Sequence, residues 1–305
     1  MNKKTIIVLF FIFSLSFCMK KSRIEKDPFY TTFYEKARLI MTKEEQNIYK
    51  HLPDRKSKLE FIKEFWEKRD PNPETEVNES KVEFERRVAY ANRWFKENKA
   101  MGRGWNTERG RILLLLGFPD RREFGEAPIV YRSGRLATTK RIAIERWFYY
   151  RYQLYIEFRD TQGFGELKLY NWPPNLLTAM DLAKYTLDLT DKSGIGKAFK
   201  FKSYYKNGDI HIKVKTNRIS FEEVSEKEVK ASIKLKIYIY FRYKKINKIT
   251  KILSITEDKD NILRKKYVEF IYKFKPKKKG KYYLDIIAKD LISSKRYRNF
   301  LKIKY

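Results

Sequence analysis

At 305 residues, with 42% hydrophobic and 16% aromatic content, the chain is long enough to bury two cores rather than one. Its single cysteine excludes an internal disulfide and a thiolate metal site, and its two histidines leave no material for a His-rich metal centre. The formal net charge of +31 is uneven, residues 19–200 carrying +10 and residues 201–305 carrying +19. Such asymmetry points to an anionic partner, or to lysine tolerated on every solvated face.

The first residues, Met1-Asn2-Lys3-Lys4 followed by an apolar run to Phe17, have the charged and hydrophobic regions of a secretory signal, too short to span a bilayer. Leu15-Ser16-Phe17-Cys18 approximates a bacterial lipobox, with the bulky Phe17 where cleavage prefers a small residue. Residues 1–17 are read as a lipoprotein signal and Cys18 as the lipidated mature N-terminus. The alternatives are a simple cleaved signal or an uncleaved anchor.

A helical pattern runs over 27–52, with Phe33, Ala37, Ile40 and Met41 near helical spacing. A second helix carries Leu59, Ile62, Phe65 and Trp66, and ends at Asp70-Pro71-Asn72-Pro73, since a residue before proline is pushed out of the helical region. Asn78 is predicted to cap a third helix with Phe84, Val88, Ala91 and Phe95 on one stripe. The apolar run 111–116, bounded by Gly110 and Gly117, predicts a buried strand, followed by strands over 145–150, 154–158 and 165–170. Residues 132–141 are expected as a basic loop, 176–187 as a last helix and 188–197 as linker. Beyond it, period-two alternation at Ile210, Ile212 and Val214, at Ile233 to Ile239, at Val268 to Phe274 and at Tyr282 to Ala288 predicts strands, with His211, Lys234, Lys236, Tyr238 and Tyr240 turned outward.

The expected architecture is therefore α+β, helices then a small mainly antiparallel sheet, followed by an all-β sandwich. Gly280-Lys281-Tyr282-Tyr283-Leu284 is similar to a strand entry of immunoglobulin-like modules. Expected boundaries are 18–187 for the first domain, 188–207 for the linker and 208–305 for the basic sandwich.

The most punctuated stretch runs from Trp66 to Asp120. It contains Arg69-Asp70-Pro71, Asn78-Glu79, Ala91-Asn92, Gly104-Trp105-Asn106-Thr107-Glu108, Arg109-Gly110-Arg111 and Gly117-Phe118-Pro119-Asp120. This stretch resembles the GWxTD domain family, with Glu108 where the family has Asp, and the resemblance extends over about the first two thirds of the chain. It implies an exported bacterial protein and brings no established activity.

For chemistry, no phosphate-binding loop or dinucleotide fingerprint is present, and His51 and His211 fall in different predicted domains, which removes a Ser/His/Asp triad. The remaining material is carboxylate: Asp70, Glu79, Glu108, Asp120, Glu145 and Asp160. The first reading makes these ion-pair partners, with Trp105 packed over a junction where Arg109 or Arg111 meets Asp70, Glu79 or Asp120, alongside Trp66, Arg69, Asn78, Gly104 and Thr107. The second makes Asp70, Glu79, Glu108 or Asp120 acid/base groups of an envelope glycan hydrolase. No cofactor and no metal are expected. The functional expectation is a non-enzymatic, membrane-anchored envelope protein that binds an anionic lipid, glycan or envelope protein, with Lys277, Lys278 and Lys279 as contacts. Nucleic acid is not expected to meet a secreted chain.

Overall fold

The computed structural model describes residues 28–97, 103–133, 136–185, 187, 189 and 199–305. The signal segment, Cys18 and the 188–197 linker, Leu189 excepted, lie outside them.

Three helices come first: α1 (Pro28–Ala37), α2 (Lys43–Lys50) and α3 (Arg55–Arg69). The expected single run over 27–52 is broken because Thr42 takes an extended conformation and closes a capping box with Glu45. Asp54 caps α3 through the Ser57 amide, and Asp70, ahead of Pro71, ends it. Asn78 caps α4 (Glu79–Trp94) by accepting from the Lys81 amide.

The predicted strand over 111–116 is instead helix α5 (Glu108–Leu116). Ile112, Leu113, Leu114, Leu115 and Leu116 are all buried, so the C-terminal part of the helix is enclosed, while Glu108 and Arg111 near its start are exposed. A short, wholly apolar run has no periodicity with which to tell strand from helix, and the Thr107 cap decides.

The sheet that follows is antiparallel, in the order β1 (Arg121–Ser133), β2 (Leu136–Tyr149), β3 (Leu154–Arg159) and β4 (Lys168–Leu169). β1 and β2 pair from Arg121↔Phe148 to Ser133↔Leu136. The expected loop over 132–141 is thus mostly paired ribbon, its residues 134 and 135 lying outside the described set. The strand expected over 165–170 is reduced to the two residues of β4. Helix α6 (Leu176–Tyr185) packs against α5.

The C-terminal part is a β-sandwich. One sheet has the order β10 (Tyr267–Lys273), β6 (Asp209–Lys215), β5 (Phe201–Lys206); the other runs β12 (Arg296–Lys304), β11 (Lys281–Asp290), β8 (Glu228–Phe241), β7 (Glu222–Glu223), with β9 (Lys244–Asp258) also paired to β8. The short helix α7 (Lys259–Arg264) leads from β9 into β10. Ile210, Ile212, Val214 and Phe270 from the first sheet meet Ile233, Leu235, Ile237, Leu284 and Ile286 from the second in one core. Asn207-Gly208, both at positive φ, makes the tight β5–β6 turn. β5 falls inside the expected 188–207 linker. β9 escaped prediction because a lysine-rich strand flanked on one side only is under little pressure to alternate.

The outward-facing prediction for Tyr238 and Tyr240 is corrected by the packing. Both are buried, because the outer face of β8 and β11 lies against the helices and joins the N-terminal core. Across this contact runs a chain of buried ionic groups. Glu45 on α2 accepts from both terminal nitrogens of Arg69 at 3.1 and 2.9 Å and from Arg298 Nη2 at 2.7 Å. Arg298 on β12 also grips Asp285 on β11 through Nε and Nη2, both at 2.7 Å. Asp285 in turn takes Lys68 Nζ at 2.7 Å, and Lys68 donates to the Tyr240 hydroxyl at 3.0 Å. Glu64 completes the chain, accepting from Tyr240 and from Lys245. Three acids, Glu45, Glu64 and Asp285, balance three bases, Lys68, Arg69 and Arg298, all buried.

Burial alone would push the Glu45 and Asp285 carboxyls up. For Glu45 the guanidiniums of Arg298 and Arg69 overcome it, and for Asp285 Arg298 and Lys68 do so, holding both below the usual carboxylate range. Burial pulls Arg69 down, while the Arg298 guanidinium is raised by Asp285 and Glu45 against the same desolvation; an arginine starts high enough to stay charged in either case. Because removing one partner strands the others, Arg298→Met should cost about 3–5 kcal/mol in denaturant unfolding. The carboxylate contribution is complete above the unfolded-state values, about 3.9 for Asp and 4.3 for Glu, and is lost as pH falls through the lower folded ones. Acid titration of unfolding should therefore show stability falling below about pH 4 in the native chain and less steeply in Arg298→Met.

Candidate functional site

The Gly104-to-Arg111 stretch is a joint, built from backbone outward. A Cβ on Gly104 would stand 1.9 Å from the Ala91 carbonyl oxygen, and one on Gly110 would stand 2.1 Å from the Gly104 carbonyl oxygen. Only glycine lets the turn lie against α4 and lets α5 start against the turn. The Trp105 amide donates to Asn92 Oδ1 at 3.3 Å, and the Trp105 side chain is buried in the helical core. Thr107 caps α5, its hydroxyl accepting from the Gly110 amide at 3.1 Å and donating to the Gly104 carbonyl at 2.8 Å. Glu108, just past the cap, takes the Leu169 amide of β4 at 2.6 Å.

The predicted pairing of Arg109 or Arg111 with Asp70, Glu79 or Asp120 is corrected. Arg109 Nε meets Glu97 at 2.5 Å and its Nη1 meets Glu145 at 2.6 Å, with the guanidinium over the Phe95 ring. Glu145 is fully buried and also accepts from Arg122 and from the Trp147 indole. Burial raises the Glu97 carboxyl against the pull of Arg109. Arg111 instead bonds Asn106 near the surface. Arg69 belongs to the interface chain described above.

The four carboxylates proposed as acid/base candidates all hold local structure. Asp70 accepts from the Asn72 amide, Glu79 from the Thr75 hydroxyl, Glu108 from the Leu169 amide and Asp120 from the Tyr150 amide. Asp160 does the same for the turn amides of Gly163, Phe164 and Gly165. Asn78 spans two helices, capping α4 while donating to the Trp66 carbonyl at 2.8 Å, and Trp66 packs on Phe65 and Phe84. Gly117 ends α5 at positive φ beside the Arg87 guanidinium, which donates to the Leu114 carbonyl. His51 caps the end of α2, and His211 stacks on Tyr204 beside Glu269. Among the described residues, no three His, Cys, Asp or Glu side chains are grouped to hold a metal ion.

A cleft of about 790 Å³ opens where the turn after α3 meets the outer face of the sandwich. Its walls include Asp70 and Glu67 on the helical side and Lys234, Lys236, Lys289 and Arg296 on the strands, over a floor containing Tyr238 and Ile287. Arg296 is oriented by the end of α3, donating to the Asp70 carbonyl at 2.6 Å and the Arg69 carbonyl at 3.3 Å. Sequence reading placed Lys234 and Lys236 on an outward face but did not gather them into a site. The signal was the pair of tyrosines sharing that face, which marks it as covered. Lys277, Lys278 and Lys279 lie exposed in the β10–β11 turn.

These observations define an α+β module whose helix and strand entries are fixed by Gly, Trp, Thr and Asn joints, docked onto a basic β-sandwich. The family model of the GWxTD domain matches residues 15–154, which identifies this part of the chain as a GWxTD domain. The match stops at the first residue of β3, short of the first two thirds of the chain and of the strands and helix that complete the module. A search of curated proteins returned no significant match.

Arg109→Ala, which would leave Glu145 and Glu97 without their shared cation, should cost about 3 kcal/mol or more in denaturant unfolding. Asp70→Ala should cost about 1 kcal/mol, the scale of a lost cap. Combining Arg109→Ala with Glu145→Ala should cost less than the sum. Equal losses for Arg109→Ala and Asp70→Ala would contradict this assignment.

Proposed function

We propose that the protein is a non-enzymatic, lipid-anchored component of the bacterial cell envelope that binds or organises an anionic envelope component. The observation that carries this reading is the placement of the basic excess. Residues 201–305 hold a net +19, and part of it is gathered on strand faces lining one cleft. Clustered like charges raise the local concentration of anions and speed encounter with an anionic surface.

The non-enzymatic part of the reading is supported by what the candidate carboxylates do. Asp70, Glu79, Glu108 and Asp120 each accept a hydrogen bond that shapes a turn or an element end. A general acid or base needs its lone pairs turned toward a substrate. The anchor rests on Cys18 at the end of the short apolar run.

Cys18→Ser should move the protein from the membrane to a soluble extracytoplasmic fraction, since the lipoprotein modification supplies more than the one chain that binds marginally. Retention on the membrane would count against lipidation. Binding of the soluble form to anionic vesicles should weaken steeply as salt rises, because the Debye length falls from ~10 Å at 0.1 M to ~3 Å at 1 M. Binding that ignores salt would remove the electrostatic account.

A further inference from the structure

The outer face of the large sandwich sheet changes character within three rungs of its ladder. In one rung, Asp285 on β11 stands opposite Tyr238 on β8, and its carboxylate is gripped by Arg298 and Lys68. Two residues further along each strand, Ile287 stands between Lys236 and Arg298. In the next rung on the same face, Lys289 is directly opposite Lys234 on one side and Arg296 on the other.

Three cations therefore lie side by side on neighbouring strands about 4.8 Å apart, an arrangement that is destabilising unless something offsets it. Among the described residues, no carboxylate lies in ion-pair reach of Lys234, Lys236 or Lys289. Of the three acids that share the cleft, Glu67 pairs with Lys248 and Asp70 accepts from the Asn72 amide, while Glu74 is exposed to solvent. Lys236 is half-buried, and its ammonium is held below the ordinary range, first by burial and then by Lys248.

A second observation points the same way. The Tyr238 side chain lines the cleft, is fully buried, and its hydroxyl has no hydrogen-bond partner. Buried hydroxyls are nearly always satisfied, so a missing acceptor at this position is informative. Lys68 Nζ sits 4.0 Å from the centroid of the same ring, on its way to Asp285.

We propose that the cleft is a phosphate site: Lys234, Lys289 and Lys236 bind one compact phosphate group, and the Tyr238 hydroxyl donates to it from the floor. A phosphate fits better than a single carboxylate because it packs close to two negative charges and several acceptor oxygens into the span of adjacent strands. Lysine engages such a group as a movable point charge, reaching it from different strands. The apolar floor at Ile287 and Tyr238 would receive the less polar part of the ligand. The phosphate could belong to a lipid headgroup or to a soluble ester. This inference rests on the reading of the protein as a binder of anions.

The test uses the full chain carrying Cys18→Ser, with two probes: inorganic pyrophosphate, read by thermal shift and calorimetric titration, and phosphatidylcholine vesicles with or without phosphatidic acid, read by co-sedimentation. The native sequence should respond to at least one of them. Lys234→Gln/Lys289→Gln should melt at the same temperature or higher without ligand, because repulsion is relieved, and should lose roughly tenfold or more in affinity. Tyr238→Phe, which removes only the unpartnered hydroxyl, should keep its melting temperature and bind several-fold more weakly. Response to vesicles alone assigns the phosphate to a lipid headgroup, and response to pyrophosphate assigns it to a soluble source. Unchanged affinity in both cleft variants overturns the site. If affinity is lost only when Lys277, Lys278 and Lys279 are neutralised, the anion sits at the β10–β11 turn; the cleft site then fails and the broader reading survives. No response to either probe overturns the cleft site, while the salt dependence described above judges the broader reading separately.

Discussion

Everything in this structure leans on one buried chain of charges, from Arg69 and Glu45 through Arg298 and Asp285 to Lys68, Tyr240 and Glu64. Taking such groups out of water is expensive, and the mutual attraction compensates only when geometry is near ideal and charge is balanced. Both conditions hold at its centre, where Arg298 engages Asp285 through two nitrogens and Glu45 through one of the same pair. The cost is still visible, since Arg69 Nε and Arg298 Nη1 are buried without hydrogen-bond partners. An apolar contact tolerates sliding by an ångström, but this chain does not, because hydrogen bonds weaken steeply with misalignment. The register of α2 and α3 on β8, β11 and β12 is fixed accordingly. The cleft follows, because the same docking brings the Asp70-Pro71 turn over the lysine-bearing rungs and aims Arg296 at the carbonyls ending α3.

The GWxTD stretch contributes at a different scale. Its residues mark joints between elements. Gly104 and Gly110 permit backbone contacts closer than any side chain allows, Thr107 starts α5, and Arg109 carries the charge of that helix to Glu145 in the sheet. Glu108 uses its extra length to bind a strand amide rather than to cap the helix. Two ionic centres result, one inside the first module at Glu145 and one between the modules at Arg298.

Much of this was legible from sequence. The Asn78 cap, the break at Asp70-Pro71, the alternation of Ile233 to Ile239 and the Gly104-to-Arg111 motif each express a local rule that burial reinforced. Errors fell where long-range packing decided. Residues 111–116 form a helix because of a cap just upstream and the burial of residues 112–116, and an apolar run alone contains neither fact. Tyr238 and Tyr240 obey the period-two rule but are covered by helices almost two hundred residues earlier in the chain. Arg109 finds Glu145, thirty-six residues on, only once the fold brings β2 within reach of the start of α5. The rung of Lys234, Lys289 and Arg296 exists only once strand register is known, and no spacing within a single strand displays it.

If the buried chain is what makes the two modules one body, they must lose structure together. Differential scanning calorimetry of the full Cys18→Ser chain at neutral pH measures this most directly. The account predicts a single cooperative transition, with calorimetric and van't Hoff enthalpies in agreement. Two resolved transitions, one for the helical module and one for the sandwich, would contradict it.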